Sequence, residues 1–264
     1  MYDFAYQRPG SVDEALKLLG SDAEAKPLAG GMTLIPVLKQ RLNKPTQVVD
    51  LAKAGMTGIK AEGDGITIGA MTTHATVAHS AEVKSRIPAL AALAGMIGDE
   101  QVRHRGTIGG SLANDDPAAD YPAAALALGA TIHTNKRAIR ADDFFQGMFT
   151  TALEPGELIT SVHFPAPQKA AYEKFRNPAS RYAIVGVFVA KTKDGVRVAV
   201  TGAGQNGVFR HAAAEQALAA KWSPDAVASI KTPVADMNND IHASAEYRAH
   251  LVAVIAKRAV AKAG

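Results

Sequence analysis

The most specific segment of the sequence is Arg105-Gly-Thr-Ile-Gly-Gly-Ser-Leu-Ala-Asn-Asp-Asp-Pro-Ala-Ala-Asp-Tyr-Pro122. Its Gly109-Gly110 pair lets the backbone adopt positive φ and approach a ligand without a Cβ clash, and the N–H groups of such a pair can form a concave anion site. A second pair, Gly30-Gly31, lies 109 − 30 = 79 residues earlier and leads into a predicted helix N-terminus, where phosphate is favoured. Two such loops can grip a pyrophosphate from both sides, which indicates a dinucleotide. Either pair alone is more typical of an ordinary tight turn.

Three aspartates follow the second glycine pair. Asp115 and Asp116 stand directly before Pro117, an arrangement typical of a helix N-terminus, so capping is the favoured role for both. Asp120 lies one turn further on and is harder to explain as a cap. A carboxylate at this place can accept hydrogen bonds from ribose hydroxyls or from an adenine amine. The residues alone leave the role of Asp120 open.

A competing dinucleotide motif lies nearer the C-terminus. Gly202-Ala-Gly204-Gln-Asn-Gly207 matches G-x-G-x-x-G after a strand-like segment, and Asp225 lies 225 − 202 = 23 residues beyond its first glycine. Only 264 − 207 = 57 residues follow the motif, and they contain no convincing second strand near Asp225. Because a nucleotide-binding half needs a βαβαβ unit, an accidental turn is the favoured interpretation.

The pattern of apolar residues and turn residues predicts an α+β protein. Ser11-Val-Asp-Glu14 is a capping box, and helices are predicted over about 11–20, 33–42, 88–97, 117–128, 210–220 and 244–262. Strands are predicted over about 26–28, 47–51, 65–69, 131–134, 158–164, 183–191 and 196–202. Pro165-Ala-Pro167 is the best boundary signal, which predicts domains over 1–167 and 168–264.

Composition excludes several classes of protein. The 264 residues contain no cysteine, so disulfides, thiolate-bound iron–sulfur clusters and cysteine nucleophiles cannot form within the chain, and any such cofactor must lie on a partner. The net charge of +4 is scattered in short basic groups, which argues against a nucleic-acid partner. The N-terminus lacks the apolar region of a signal peptide and no apolar run is long enough for a membrane span, so we expect a cytoplasmic protein. No H-E-x-x-H and no G-x-S-x-G motif occurs, and the sequence predicts no self-contained catalytic site.

Four segments stand in a characteristic order along the chain. They are Phe4–Ala15, Ala29-Gly-Gly-Met-Thr-Leu-Ile-Pro36, Arg105–Pro122 and Lys174–Tyr182. Together they resemble the flavoprotein (medium) subunit of molybdenum hydroxylases, the carbon monoxide dehydrogenase and xanthine dehydrogenase family, over essentially the whole chain. The resemblance implies a FAD-binding PCMH-type domain, like that of vanillyl-alcohol oxidase, over 1–167 with two α/β subdomains at about 1–57 and 58–167. A small α+β domain would follow over 168–264.

The resemblance also implies which residues hold FAD. Two loops would bind its pyrophosphate, Asp120 would meet the ribityl–ribose region, and Ile97 and Ile159 would be apolar contacts. Lys174 and Tyr182 would neighbour the isoalloxazine ring. The loop residues are Leu28, Ala29, Gly30, Gly31, Met32, Thr33 and Leu34 in the first loop, and Thr107, Ile108, Gly109, Gly110 and Ser111 in the second. Met32 stands where relatives often carry His, Gln or Thr, a departure that affects one side-chain contact to FAD.

From the resemblance we expect an electron-transfer subunit with non-covalent FAD. A molybdopterin cofactor and [2Fe–2S] clusters would lie on a large and a small partner subunit, with two copies of each subunit in the complex. FAD would pass electrons from the clusters to an external acceptor. No catalytic residue and no metal ligand is assigned to this chain. The alternatives are a stand-alone FAD-dependent oxidase of the same fold, and a nicotinamide-dinucleotide-binding protein that uses Gly202–Gly207.

Overall fold

Three main β-sheets, of three, five and four strands, follow one another along the chain. The computed structural model describes every residue from Met1 to Gly264. Helices pack against each sheet, and a two-stranded hairpin lies between the last strands of the second sheet. The α+β fold class expected from the sequence is confirmed. No helix combines the length and the apolar character that a bilayer span requires.

The first sheet is small and parallel. Its strands are β1 (Ala5–Gln7), β2 (Lys26–Leu28) and β3 (Gln47–Asp50), in the order β1-β3-β2, and its connecting helices are α1 (Val12–Gly20) and α2 (Leu34–Lys39). The predicted capping box begins α1, because the Ser11 hydroxyl accepts from the Glu14 N–H. Helix α2 ends before the predicted Leu42, since Arg41 adopts a left-handed φ of 58°.

The second sheet is antiparallel and carries most of the helices. In chain order its part of the molecule contains β4 (Ile59–Glu62), β5 (Gly65–Gly69), α3 (His74–His79), α4 (Ala81–Arg86), α5 (Pro88–Gly95), α6 (Glu100–Arg105), α7 (Ile108–Asn114), α8 (Tyr121–Leu128), β6 (Thr131–Thr134), β7 (Ala138–Arg140), α9 (Ala141–Phe144), β8 (Phe145–Gly147), β9 (Thr150–Thr151) and β10 (Ile159–Phe164). The sheet order is β4-β5-β10-β6-β7, and β8 pairs with β9. Helices α5 and α8 are apolar all round, and every residue of α8 and five of the eight residues of α5 are buried, which places them at the centre of the core.

The third sheet is antiparallel and lies between two helical layers. It contains β11 (Lys169–Arg176), β12 (Ala183–Thr192), β13 (Gly195–Thr201) and β14 (Phe209–Arg210), in that order, with α10 (Ala212–Ala220) and α11 (Ala245–Ala263) following. One face packs against α11, and the other, through buried Tyr172 and Phe188, joins the core around α5 and α8. The segment Gly202–Gly207 is a turn between antiparallel β13 and β14, so it lacks the βαβ setting of a dinucleotide motif.

The stretch after the second glycine pair differs from the sequence expectation. The sequence predicts a loop at Thr107–Ser111 and a helix from Pro117, whereas α7 begins directly after Thr107 and α8 begins only at Tyr121. Capping of a helix N-terminus by Asp115 or Asp116 was the wrong interpretation. Asp115 ends α7 in a left-handed conformation (φ 43°), and Asp116 accepts a hydrogen bond from the Ala118 N–H in the following turn.

Asp115 is a buried carboxyl group without a cation beside it. It is 1% exposed, and its Oδ1 has no hydrogen-bond partner. Burial, with the Asp116 charge second, raises the pKa of Asp115 to about 7. An unfolded chain releases this proton near pH 3.9. The folded state therefore gains stability from the bound proton at low pH, and that contribution is lost as the pH rises from about 4 to about 7.

Asp115→Asn should remove this pH dependence. Asparagine keeps the shape of the side chain and tolerates a left-handed backbone, but it has no proton to lose. We expect the variant to exceed the wild type in free energy of unfolding by at least about 1 kcal/mol above pH 7, and to match it near pH 4. Urea unfolding between pH 4 and pH 8 measures the difference. Asp64→Asn, at an exposed turn, is the control; a constant offset between Asp115→Asn and wild type at all pH values would contradict the prediction.

Candidate functional site

One cleft of about 640 Å³ lies where elements of all three sheets meet. Leu51 follows the first sheet, His74 and Gly109 belong to the helices of the second, and Tyr182 precedes a strand of the third. The volume is within the range of small-molecule and cofactor sites. Such a cleft between structural units is a common place for a ligand, and most of the sequence-predicted residues line it.

A backbone contact joins the two glycine segments at the floor of the cleft. Gly30 lies so close to Arg105 that a Cβ there would overlap the Arg105 carbonyl oxygen and lie 2.8 Å from the Gly106 Cα. Gly106 in turn rests on the ring of His74, since its own Cβ would lie 2.8 Å from the imidazole Cδ2. Only glycine permits both approaches. The two segments, 79 residues apart in sequence, therefore form one continuous surface.

The first glycine segment presents a row of unused backbone donors. The N–H groups of Gly30, Gly31, Met32 and Thr33 make no hydrogen bond within the chain. Gly31 has a φ of 78°, which turns the backbone there. The Thr33 hydroxyl does not cap the helix that follows. Consecutive free N–H groups in such a turn are a typical anion-binding arrangement.

The second glycine segment, in contrast, uses its donors internally. The Ile108 N–H donates to the Thr72 carbonyl (3.1 Å), the Gly109 N–H to the Ala70 carbonyl (2.8 Å), and the Gly110 N–H to the Thr107 hydroxyl (3.2 Å). These are the first-turn amides of α7, which have no intrahelical partner and need one elsewhere. The predicted donor nest is therefore not formed at the second segment. The second segment instead forms a rigid wall of the cleft, which the Ser111 and Asn114 side chains line.

Asp120 lies at the cleft as a buried carboxylate held from the third sheet. The Tyr172 hydroxyl donates to its Oδ1, and the Lys174 ammonium lies 3.0 Å from Oδ1 and 3.1 Å from Oδ2. The Lys174 side chain is only 1% exposed. Burial raises the pKa of Asp120, while Lys174 and the Tyr172 hydroxyl oppose this by favouring the ionised form. Its side chain does not cap α8, so neither helix capping nor solvation explains it.

Most of the other predicted residues lie in the cleft wall. Leu28, Ile108 and Lys174 do not line it: Leu28 packs beneath Gly31, Ile108 is in the core, and Lys174 reaches the site through Asp120. The residues that line it are Ala29, Gly30, Gly31, Met32, Thr33, Leu34, Ile97, Thr107, Gly109, Gly110, Ser111, Asp120, Ile159 and Tyr182.

A loop of the third sheet crosses to the second part of the molecule at the cleft. Tyr182 is half-exposed on this loop, and the Arg181 guanidinium beside it donates to the Gly98 carbonyl at 3.3 Å. Arg181 has a φ of 63°, a left-handed conformation that is unfavourable for an arginine. The loop thus places an aromatic ring at the cleft opening.

Two residues of the site are not predicted by the sequence pattern. His74 lies 5% exposed in the cleft wall, and burial, with the Arg103 charge second, lowers its pKa to about 4. The signal for it was Thr73, which caps α3 and so fixes His74 as the first residue of the helix. Tyr172 lies on β11, a strand that the sequence reasoning did not predict. No group of three or more acidic or histidine side chains is placed to hold a metal ion.

Comparison with known proteins agrees with this arrangement. Residues 2–167 match the family described as the FAD binding domain in molybdopterin dehydrogenase. The chain is 37% identical to the nicotine 6-hydroxylase medium subunit of Paenarthrobacter nicotinovorans, over 98% of this chain and 96% of that protein. It is 35% identical to the carbon monoxide dehydrogenase medium chain of Afipia carboxidovorans, again over 98% and 96%.

A solved structure extends the similarity to the whole fold. The reconstituted carbon monoxide dehydrogenase from Oligotropha carboxidovorans contains a chain that matches with a TM-score of 0.89 and 33% identity, over 99% of this chain and 98% of that one. The family match covers more than half of the residues, and the relatives align along nearly their full length. The chain therefore belongs to the FAD-binding medium subunits of the molybdenum hydroxylase family, the carbon monoxide dehydrogenase and xanthine dehydrogenase type.

Proposed function

We propose that this chain holds FAD in the cleft and serves as the electron-exit subunit of a multi-subunit molybdenum hydroxylase. The observation that carries the proposal is the row of four free amides, Gly30 to Thr33, beside a cleft that elements of all three sheets border. These donors fit a pyrophosphate, because consecutive free amides in a turn form a concave site for an anion. FAD is also the cofactor of the family to which the chain belongs.

The residues of the cleft divide the work of binding. The first loop donates to the pyrophosphate, and the Gly109-Gly110 wall limits its position from the other side. Asp120, fixed by Lys174 and Tyr172, accepts from a cofactor hydroxyl. Ile97 and Ile159 supply apolar contacts, and Tyr182 neighbours the flavin ring at the cleft opening. Leu28 and Ile108 do not line the cleft and support the two loops from the protein interior.

The chain itself supplies binding and orientation rather than proton transfer. Bound FAD takes up electrons from one-electron centres and releases them in pairs. The molybdopterin cofactor and the [2Fe–2S] clusters lie on a large and a small partner subunit, two copies of each subunit form the complex, and the acceptor is external. The lack of cysteine supports a partner for the clusters, and the names of the relatives, medium subunit and medium chain, support a complex. We further propose a cytoplasmic location and the domain division 1–167 (about 1–57 and 58–167) and 168–264.

Purification of the tagged chain from its native cells tests the proposal. We expect one FAD per chain, released intact by acid, together with two further polypeptides that carry molybdenum and iron. Absorbance and mass spectrometry identify the nucleotide, and metal analysis reports on the partners. A complex without flavin would overturn the assignment of the cleft. A flavin-loaded chain that never co-purifies with iron or molybdenum would overturn the electron-exit role, and would favour a stand-alone oxidase.

Gly110→Val should remove FAD while most of the fold stays intact. A Cβ at Gly110 would lie 3.0 Å from the Thr107 hydroxyl oxygen and 3.1 Å from the Ala29 Cβ, so the larger side chain must project into the cleft. We expect the flavin content per chain to fall at least tenfold, which corresponds to a loss of about 1.4 kcal/mol or more of binding free energy. Gly20→Val, at an exposed helix end with no atom within 4 Å of an added Cβ, is the matched control. Equal flavin content in the two variants would contradict the placement.

Substitutions at Asp120 and Lys174 should change the free energy of unfolding and the affinity for FAD in different ways. Asp120→Asn leaves the buried Lys174 ammonium without its counter-ion, and we expect a loss of about 3 kcal/mol in free energy of unfolding of the flavin-free chain. Asp120→Asn combined with Lys174→Met removes both charges and should recover much of that stability. Neither variant should recover FAD affinity, because the carboxylate acceptor is missing in both. Urea unfolding and FAD titration measure the two effects; full recovery of affinity in the double variant would show that Asp120 is structural only.

A further inference from the structure

His74 is a buried polar group in the cleft wall that the proposed FAD contacts leave unused. It is the first residue of α3 and is 5% exposed. Neither ring nitrogen has a hydrogen-bond partner in the chain, and Nδ1 is fully buried. Burial keeps the imidazole neutral at pH 7, because it lowers the pKa to about 4. A neutral imidazole carries one N–H donor and one acceptor lone pair, so its two nitrogens have different capacities.

The surroundings of the ring distinguish the two nitrogens. Nε2 lies against Gly106, where an added Cβ would overlap it, and Gly106 lines the cleft next to Gly30. Nδ1 is turned into the protein. Tyr121 packs on the ring at a centroid distance of 5.3 Å, and the Tyr121 hydroxyl is also buried without a partner.

The two nitrogens differ in what can reach them. Tyr121 packs on the ring, but its hydroxyl forms no hydrogen bond with Nδ1, so no protein group sets the tautomer. Nε2 lies at the cleft side, where the backbone contact of Gly30 with Arg105 and Gly106 joins the two glycine segments. An anionic ligand at that place puts the proton on Nε2, because a phosphate oxygen accepts a hydrogen bond and does not donate one.

We propose that His74 is a further cofactor-binding residue, whose Nε2–H donates to a pyrophosphate oxygen of FAD where the two glycine segments meet. The inference rests on the proposed placement of FAD in this cleft. Gly106 is required beside it, since any side chain there would cover the nitrogen. Hydrogen bonds to a charged phosphate oxygen are about twice as strong as neutral ones, so one such donor has a measurable effect on affinity.

Three substitutions of His74 test the proposal in the complex purified with its partner subunits, stripped of flavin and titrated with FAD. His74→Leu removes both nitrogens and should weaken FAD binding by about 10- to 100-fold. His74→Gln places an amide N–H near the position of Nε2 and should recover most of the affinity. His74→Asn places its amide near Nδ1 and should not. His79→Gln, on the exposed side of the same helix, is the matched control.

ADP is the second probe, because it carries the pyrophosphate without the flavin ring. We expect His74→Leu to weaken ADP and FAD by the same factor. Loss of FAD affinity with unchanged ADP affinity would overturn the pyrophosphate assignment. Equal affinity of the Gln and Asn variants, at equal thermal unfolding midpoints, would show that His74 acts by packing alone.

The wild-type titration separates this inference from the proposed function. Saturable FAD binding by the wild type, with unchanged affinity in His74→Leu, would overturn the role of His74 and leave the FAD cleft in place. A wild type that binds neither FAD nor ADP would overturn both. Recovery by Gln and not by Asn, for both ligands, supports a donor at Nε2.

Discussion

The close approach of Gly30 to the backbone of Arg105 and Gly106 is the contact on which the site depends. It joins the end of a strand in the parallel sheet to the end of α6 with no side chain between them. Because backbone meets backbone, the two segments cannot shift independently without losing packing on both sides. The free amides of the first loop, the wall formed by α7 and the His74 ring beneath Gly106 all take their positions from this contact.

The two glycine pairs look alike in sequence but differ in whether their backbone amides are free to bind a ligand. Gly30 and Gly31 leave their amides free in a turn, whereas Gly109 and Gly110 lie in a helix whose first amides bond to the carbonyls of Ala70 and Thr72 and to a threonine hydroxyl. Those carbonyls belong to the connection between β5 and α3, far earlier in the chain. The sequence pattern predicted a donor loop at each of the two pairs, but only the first pair keeps its amides free. Which pair keeps its donors depends on tertiary contacts that a sequence pattern does not contain.

The same limit explains which parts of the fold were predictable. The capping box at Ser11 and the apolar strand from Ala183 carry strong local signals, and both elements form as expected. Strand β11, with the sequence KAAYEKFR, has no clear alternation of apolar and polar residues. Its Tyr172 and Lys174 are two residues apart and so face the same side, where Asp120 needs both. The side chains of Tyr172 and Lys174 are buried because they pair with the Asp120 carboxylate, not because they belong to an apolar stripe. The pattern of apolar residues therefore gave no indication of this strand.

The distribution of charge around the cleft accounts for what the chain does and does not do. The two buried ionisable groups that line the cleft are held in one protonation state, Asp120 by its pairing with Lys174 and His74 by burial. Asp115, whose pKa is raised to about 7, does not line the cleft. A group held in one protonation state is a poor acid–base catalyst at neutral pH but a good fixed donor or acceptor. Fixed donors and acceptors are what a tightly held cofactor requires. The fixed donors and acceptors of this cleft therefore suit the binding and orientation of FAD, the cofactor of the family to which the chain belongs.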